Sequence, residues 1–89
     1  MKTNLDIVKK LLPEYWKASE FTKNTVVITA FSEYNYCYGY VTVDFEYRCF
    51  RLGMAAIGQP ESNKAYRGRG WKEGLITDAI SRLKEVVRD

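Results

Sequence analysis

Cys37 and Cys49 are the only thiols in the chain, and no histidine exists to activate either of them. A reactive thiolate needs a neighbouring imidazole or cation to lower its pKa, so both cysteines read as small apolar packing residues, reduced and unpaired. The absence of histidine also removes the Ser-His-Asp and Cys-His arrangements, the usual imidazole base and every His-ligated metal site. Asp44 and Glu46 form a carboxylate pair of the kind that does acid–base work. Nothing else in the sequence converges on them, and they read as the solvated end of a hairpin. The expectation is no enzyme, no metal and no cofactor.

Charge offers a different chemistry. Four of the chain's 14 bases, Lys64, Arg67, Arg69 and Lys72, fall in one stretch that holds no acid, so the remaining bases do not outnumber the 11 acids. A single basic segment on an otherwise neutral chain suits phosphate or an acidic partner surface. Inside it, Gly68-Arg69-Gly70 precedes an expected helix start, where free backbone N–H groups and the helix dipole favour an anion. The pattern is neither a P-loop nor a dinucleotide fingerprint, which need more glycines or a Gly-Lys-Ser/Thr ending. Lys64, Arg67, Arg69 and Lys72 are therefore the expected anion- or nucleic-acid-binding residues.

Short elements must position these groups. Residues 4–12 predict a helix: Thr3 or Asn4 can cap it, Asp6 suits its positive end, and Leu5, Val8, Leu11 and Leu12 make one stripe. Pro13 ends or kinks it, and 13–18 is expected as a second short helical turn with Tyr15 and Trp16 as lids on the core. Residues 25–32 and 37–45 are dense in β-branched and aromatic types and predict two strands joined by the polar turn Ser32-Glu33-Tyr34-Asn35. A turn near Glu46-Tyr47 leads to a third strand over 48–55. Residues 56–70 read as a loop long enough to suggest a functional role. Leu75, Ile76, Ala79, Leu83 and Val86 then recur at the spacing of an amphipathic helix that opens at Gly70 or Trp71. The expected architecture is α+β, one domain over residues 1–89. It is a two-layer α-β-β-β-α sandwich in which a three-stranded antiparallel meander carries the N- and C-terminal helices on one face.

Alternation divides the middle strand. Cys37, Gly39, Val41, Val43 and Phe45 are apolar throughout and should face the helices, together with Phe50, Leu52 and Met54 of the next strand. Tyr36, Tyr38, Tyr40, Thr42 and Asp44 should face outward, with Cys49 and Arg51. In the first strand Val26, Ile28 and Ala30 against Val27, Thr29 and Phe31 is close to a tie. The outer face then carries Tyr36, Tyr38 and Tyr40 with Arg51 nearby. Tyr and Arg are the residue types that dominate protein interfaces, so these four are the expected partner-binding residues.

The order helix, three-stranded meander, helix is similar to that of the double-stranded-RNA-binding domain over nearly the whole chain. That family carries a lysine cluster at the start of its last helix. The matching stretch, Trp71-Lys72-Glu73-Gly74, keeps one lysine and adds an acid. Ser32-Glu33-Tyr34-Asn35 lacks the Gly-Pro-x-His-type element of the family's first strand–strand loop. The resemblance implies the topology and not the RNA binding. Small size, the missing catalytic motif and Tyr-rich strands also resemble phage accessory proteins, including anti-CRISPR and other anti-defence inhibitors. That likeness implies inhibition through a protein surface.

Composition is consistent with one folded domain: 89 residues, 46% apolar, 28% charged and 15% aromatic, which excludes a disordered tail or a collagen-like chain. No apolar run reaches the length of a secretory signal or a membrane span, so a cytoplasmic protein without a membrane partner is expected. The functional expectation is a small binding module, an inhibitor or adaptor acting by protein–protein contact. The alternative is a nucleic-acid-binding module that sets the basic segment 64–72 on phosphates. Oligomeric state is left open by the sequence.

Overall fold

The computed structural model describes residues 3–53 and 65–87. Helix α1 spans Asn4–Leu11 and starts on a reciprocal cap. The Asp6 amide donates to the Thr3 hydroxyl and the Thr3 amide to the Asp6 carboxylate, each at 3.1 Å, which satisfies two otherwise orphaned donors. Leu12 leaves the helix in an extended conformation, φ −67° and ψ 137°, as the following proline requires.

The next segment departs from expectation. Instead of a second helical turn, Pro13 to Trp16 form a tight turn closed by the Trp16 amide on the Pro13 carbonyl at 3.2 Å. The chain then enters strand β1, Lys17–Thr22, which pairs antiparallel with β2, Thr25–Phe31. With β3, Cys37–Asp44, and β4, Cys49–Leu52, the sheet has four strands in sequential order rather than three. β1 is an edge strand exposed along nearly its whole length, so burial imposes no alternating pattern on its sequence. Its hairpin is fixed by threonines instead. The Thr22 amide donates to Thr25 Oγ1 at 3.0 Å, and the two hydroxyls lie 2.7 Å apart. Trp16 packs against the core as expected of a lid, but Tyr15 is half exposed.

The β3–β4 turn carries neither Gly nor Asn. Asp44 supplies the turn chemistry, its Oδ1 accepting from the Glu46 and Tyr47 amides at 2.9 and 3.0 Å. Arg48 closes the turn with φ +54°, a conformation that costs a non-glycine residue of order 1 kcal/mol. β4 is shorter than the expected strand over 48–55. Met54, Lys64 and most of the expected loop lie outside the described residues.

Helix α2, Trp71–Val87, lies with α1 on one face of the sheet. The tie in β2 is resolved by its partner: Ile28 stands opposite Val41 and Val26 opposite Val43, all buried, so Val26, Ile28 and Ala30 face the helices. Phe45 and Phe50 extend this layer, and Val8, Leu75, Ile76, Ala79, Ile80 and Leu83 close it from above. Each such side chain contributes about 1.5–3 kcal/mol on burial. Among the described residues, no helix is long and apolar enough to cross a membrane.

Candidate binding surfaces

The second sheet face has no layer over it among the described residues. Register places Lys17 and Ser19 of β1 beside Thr29 and Val27, these beside Tyr40 and Thr42, and Thr42 beside Arg51 of β4. Tyr40 and Arg51 are thus diagonal neighbours on one face, close enough for their long side chains to meet a shared partner. Both are half-buried.

The row does not continue regularly to Tyr38 and Tyr36. The β2–β3 register shifts after Ala30↔Gly39, so that Phe31 stands opposite Cys37 and Tyr38 is the inserted residue of a bulge. Alternation is reset there. Cys37, expected to face the helices, is exposed beside Phe31. Gly39 fits the bulge because it adopts φ +155°, and a Cβ there would rest at ordinary distance, 3.8 Å, from Leu83 and Val87. Tyr36 and Tyr38 pair with each other, edge to face with centroids 5.1 Å apart, and remain 65% and 51% exposed. Tyr34, 86% exposed at the tip of the same hairpin, adds a third ring. Ser32 holds this tip, its hydroxyl accepting from the Tyr34 and Tyr36 amides at 3.1 Å. Lys17 completes the end with its Nζ 4.9 Å from the Phe31 ring centroid and 3.4 Å from Asn35 Oδ1.

Cys49, expected to point outward, is on the outer face by register, opposite Asp44, yet only 6% exposed. Burial pushes its thiol pKa up, and the nearby Arg51 charge offsets part of the rise. Arg51 Nη1 lies 4.0 Å from Asp44 Oδ2, and its Nε is buried without a hydrogen bond among the described residues. The two thiols should therefore differ sharply. Cys37 reacts with an aromatic disulfide reagent in the folded protein, whereas Cys49 reacts only at the rate of opening. Equal rates in native buffer would contradict this burial. Because the folded state holds the Cys49 proton more tightly than the unfolded chain, its contribution to stability is intact below the ordinary thiol pKa. That contribution is lost as pH rises through the raised value.

The basic segment lies at the other end of the sheet, roughly 24 Å from the tyrosine pair along β3. Tyr66 anchors it twice. Arg48 Nη1 donates to the Tyr66 carbonyl at 2.7 Å, and the Tyr66 hydroxyl donates to Asp78 Oδ2 at 2.7 Å. Arg48 also stacks on the Trp71 ring, 4.0 Å from its centroid, and Trp71 in turn lies against Phe45. Lys72 is used structurally, its Nζ donating to Asn4 Oδ1 at 2.8 Å and joining α2 to α1. Arg67 and Arg69 remain exposed, and among the described residues neither has a hydrogen-bond or ion-pair partner. They border an open depression of about 300 Å³ whose wall includes Tyr66, Trp71, Gly74 and Asp78. Lys64 lies outside the described residues. The linkage of Arg48, Tyr66 and Asp78 escaped the sequence reading, which pairs Asp78 with Arg82 along the helix, since no spacing rule links a turn arginine to a tyrosine 18 residues away.

Gly74 sits inside α2, where among the described residues a Cβ would meet only the Tyr66 ring, at an ordinary 3.9 Å. Gly74→Ala should therefore stabilise the domain by about 0.5–1 kcal/mol, raising the melting temperature by roughly 4–8 °C per kcal/mol. A lower melting temperature would show that the position has no room for a methyl. Among the described residues, no group of three or more His, Cys, Asp or Glu side chains is placed to hold a metal ion. No family model, curated protein or solved structure matches this chain.

Proposed function

We propose that the chain is a non-enzymatic binding module, an inhibitor or adaptor that occupies a surface of another protein with the uncovered face and tyrosine-bearing end of its sheet. One observation carries this reading: both helices pack on one face, while the end of the sheet at the β2–β3 bulge carries the exposed rings of Tyr34, Tyr36 and Tyr38. A tyrosine ring tolerates water through its hydroxyl, yet contributes a large apolar area when a partner covers it. Its few rotatable bonds also limit the entropy lost on contact. Tyr40 and Arg51, diagonal neighbours on the uncovered face, add a residue pair of types favoured at the energetic centres of interfaces.

The test uses three baits in lysate of the source cells, with and without nuclease: the native chain, Tyr36→Ala/Tyr38→Ala and Arg67→Gln/Arg69→Gln. The reading expects one protein retained by the native and arginine-substituted baits, resistant to nuclease and lost with the tyrosine variant. Retention that depends on the arginines and vanishes with nuclease would assign the function to nucleic acid instead.

A further inference from the structure

We propose that the depression between the 65–70 segment and α2 is a binding site for a phosphate monoester carried on a ring-sized organic group, a nucleoside monophosphate in the simplest case. It lies at the opposite end of the sheet from the tyrosines and stands independently of the function proposed for them.

Space, charge and local rigidity point to the same occupant. The volume of about 300 Å³ is at the lower end of what small-molecule sites occupy, enough for one nucleotide-sized group. Its rim carries Arg67 and Arg69, whose planar guanidinium forks match phosphate oxygens in pairs. The neighbouring cations hold the fold instead: Lys72 on Asn4, and Arg48 on the Tyr66 carbonyl and the Trp71 ring. Tyr66 is tied through both its carbonyl and its hydroxyl, so the backbone leading into the two arginines is anchored before any ligand arrives. Such preorganisation lowers the entropy lost on binding.

Gly74 supplies a separate argument. A glycine in a helix interior weakens the fold, and among the described residues no neighbour crowds this one enough to require it. Gly74 does line the depression, where a methyl beside Tyr66 would take up part of the open space. A residue that is unfavourable for folding and unforced by packing is explained by the space it leaves. Polymeric phosphate fits less well. A backbone track needs several cations in a row, whereas here two exposed arginines border a depression that Asp78 also lines.

The experiment is an amide-resolved NMR titration of the native chain with AMP, adenosine, inorganic phosphate and a short single-stranded RNA. AMP should give saturable shifts at the Gly68, Gly70 and Gly74 amides. Phosphate should move the same amides more weakly, and adenosine should not move them saturably. Arg67→Gln/Arg69→Gln should weaken AMP at least about tenfold, the usual loss for a charge-assisted hydrogen bond. Gly74→Ala should weaken AMP too while melting higher than the native chain, so that lost binding cannot be assigned to lost folding. The proposal is overturned by the absence of saturable AMP shifts, by unchanged affinity in either variant, by adenosine binding as well as AMP, or by RNA binding more tightly than AMP.

Discussion

Ile28→Ala should destabilise the domain by about 3–4 kcal/mol, the usual cost of removing a fully buried aliphatic side chain and leaving a partly collapsed cavity. Ile28 has no solvent exposure and stands opposite Val41, itself fully buried, beneath the helices. Native stabilities run to only about 5–15 kcal/mol, so such a loss consumes a large share of the total. Val27→Ala, one residue away on the uncovered face, should cost below about 1 kcal/mol because its side chain is only half-buried, beside its cross-strand neighbours Ser19 and Thr42. Urea unfolding of the two variants measures the difference. If Val27→Ala proves the more damaging, the sheet faces have been assigned the wrong way round.

Removing the tyrosine pair should have the opposite signature. Tyr36→Ala and Tyr38→Ala each forfeit the edge-to-face contact between the rings, worth about 0.5–1.5 kcal/mol, and leave the helix-facing core untouched. Binding should suffer far more, by about 2 kcal/mol per residue if each is an interface centre, close to a thirtyfold loss of affinity. Val43→Ala is the control: it opens a cavity in the core without touching the uncovered face. A titration against the captured partner, paired with thermal melts, separates the two effects. Tyrosine variants that melt normally and bind normally would remove the pair from the function.

The two predictions rest on parts of the fold that the sequence disclosed unequally. Helices α1 and α2 and strand β3 are legible because burial on one side forces a period on them, as at Val41 and Val43 or at Leu75, Ala79 and Leu83, and β2 is legible from its density of β-branched residues. β1 is not, since an edge strand exposed along nearly its whole length, with only Ala18 half-buried, leaves no such trace in Lys17–Thr22. The tie between the faces of β2 is decided only by pairing, when Ile28 meets Val41. The bulge at Tyr38 is a property of two strands together, so alternation within β3 alone misplaces Cys37 and draws Tyr36, Tyr38 and Tyr40 as one regular row. At the basic end, the charge cluster is visible in the sequence. Its division into Lys72, engaged with Asn4 across 68 residues of chain, and Arg67 and Arg69, without a partner among the described residues, depends on contacts that no local pattern announces.

The central claim, that the uncovered sheet face and its tyrosine end meet a protein partner, is tested most directly by site-specific photo-crosslinking in the source cells. Benzoylphenylalanine replaces Tyr38 in one variant and Tyr47, more available to solvent and at the opposite end of the sheet, in another. A discrete protein adduct from position 38 and none from position 47 is the result expected here. An adduct from position 47 alone, or none from position 38 in a variant that folds, would contradict it.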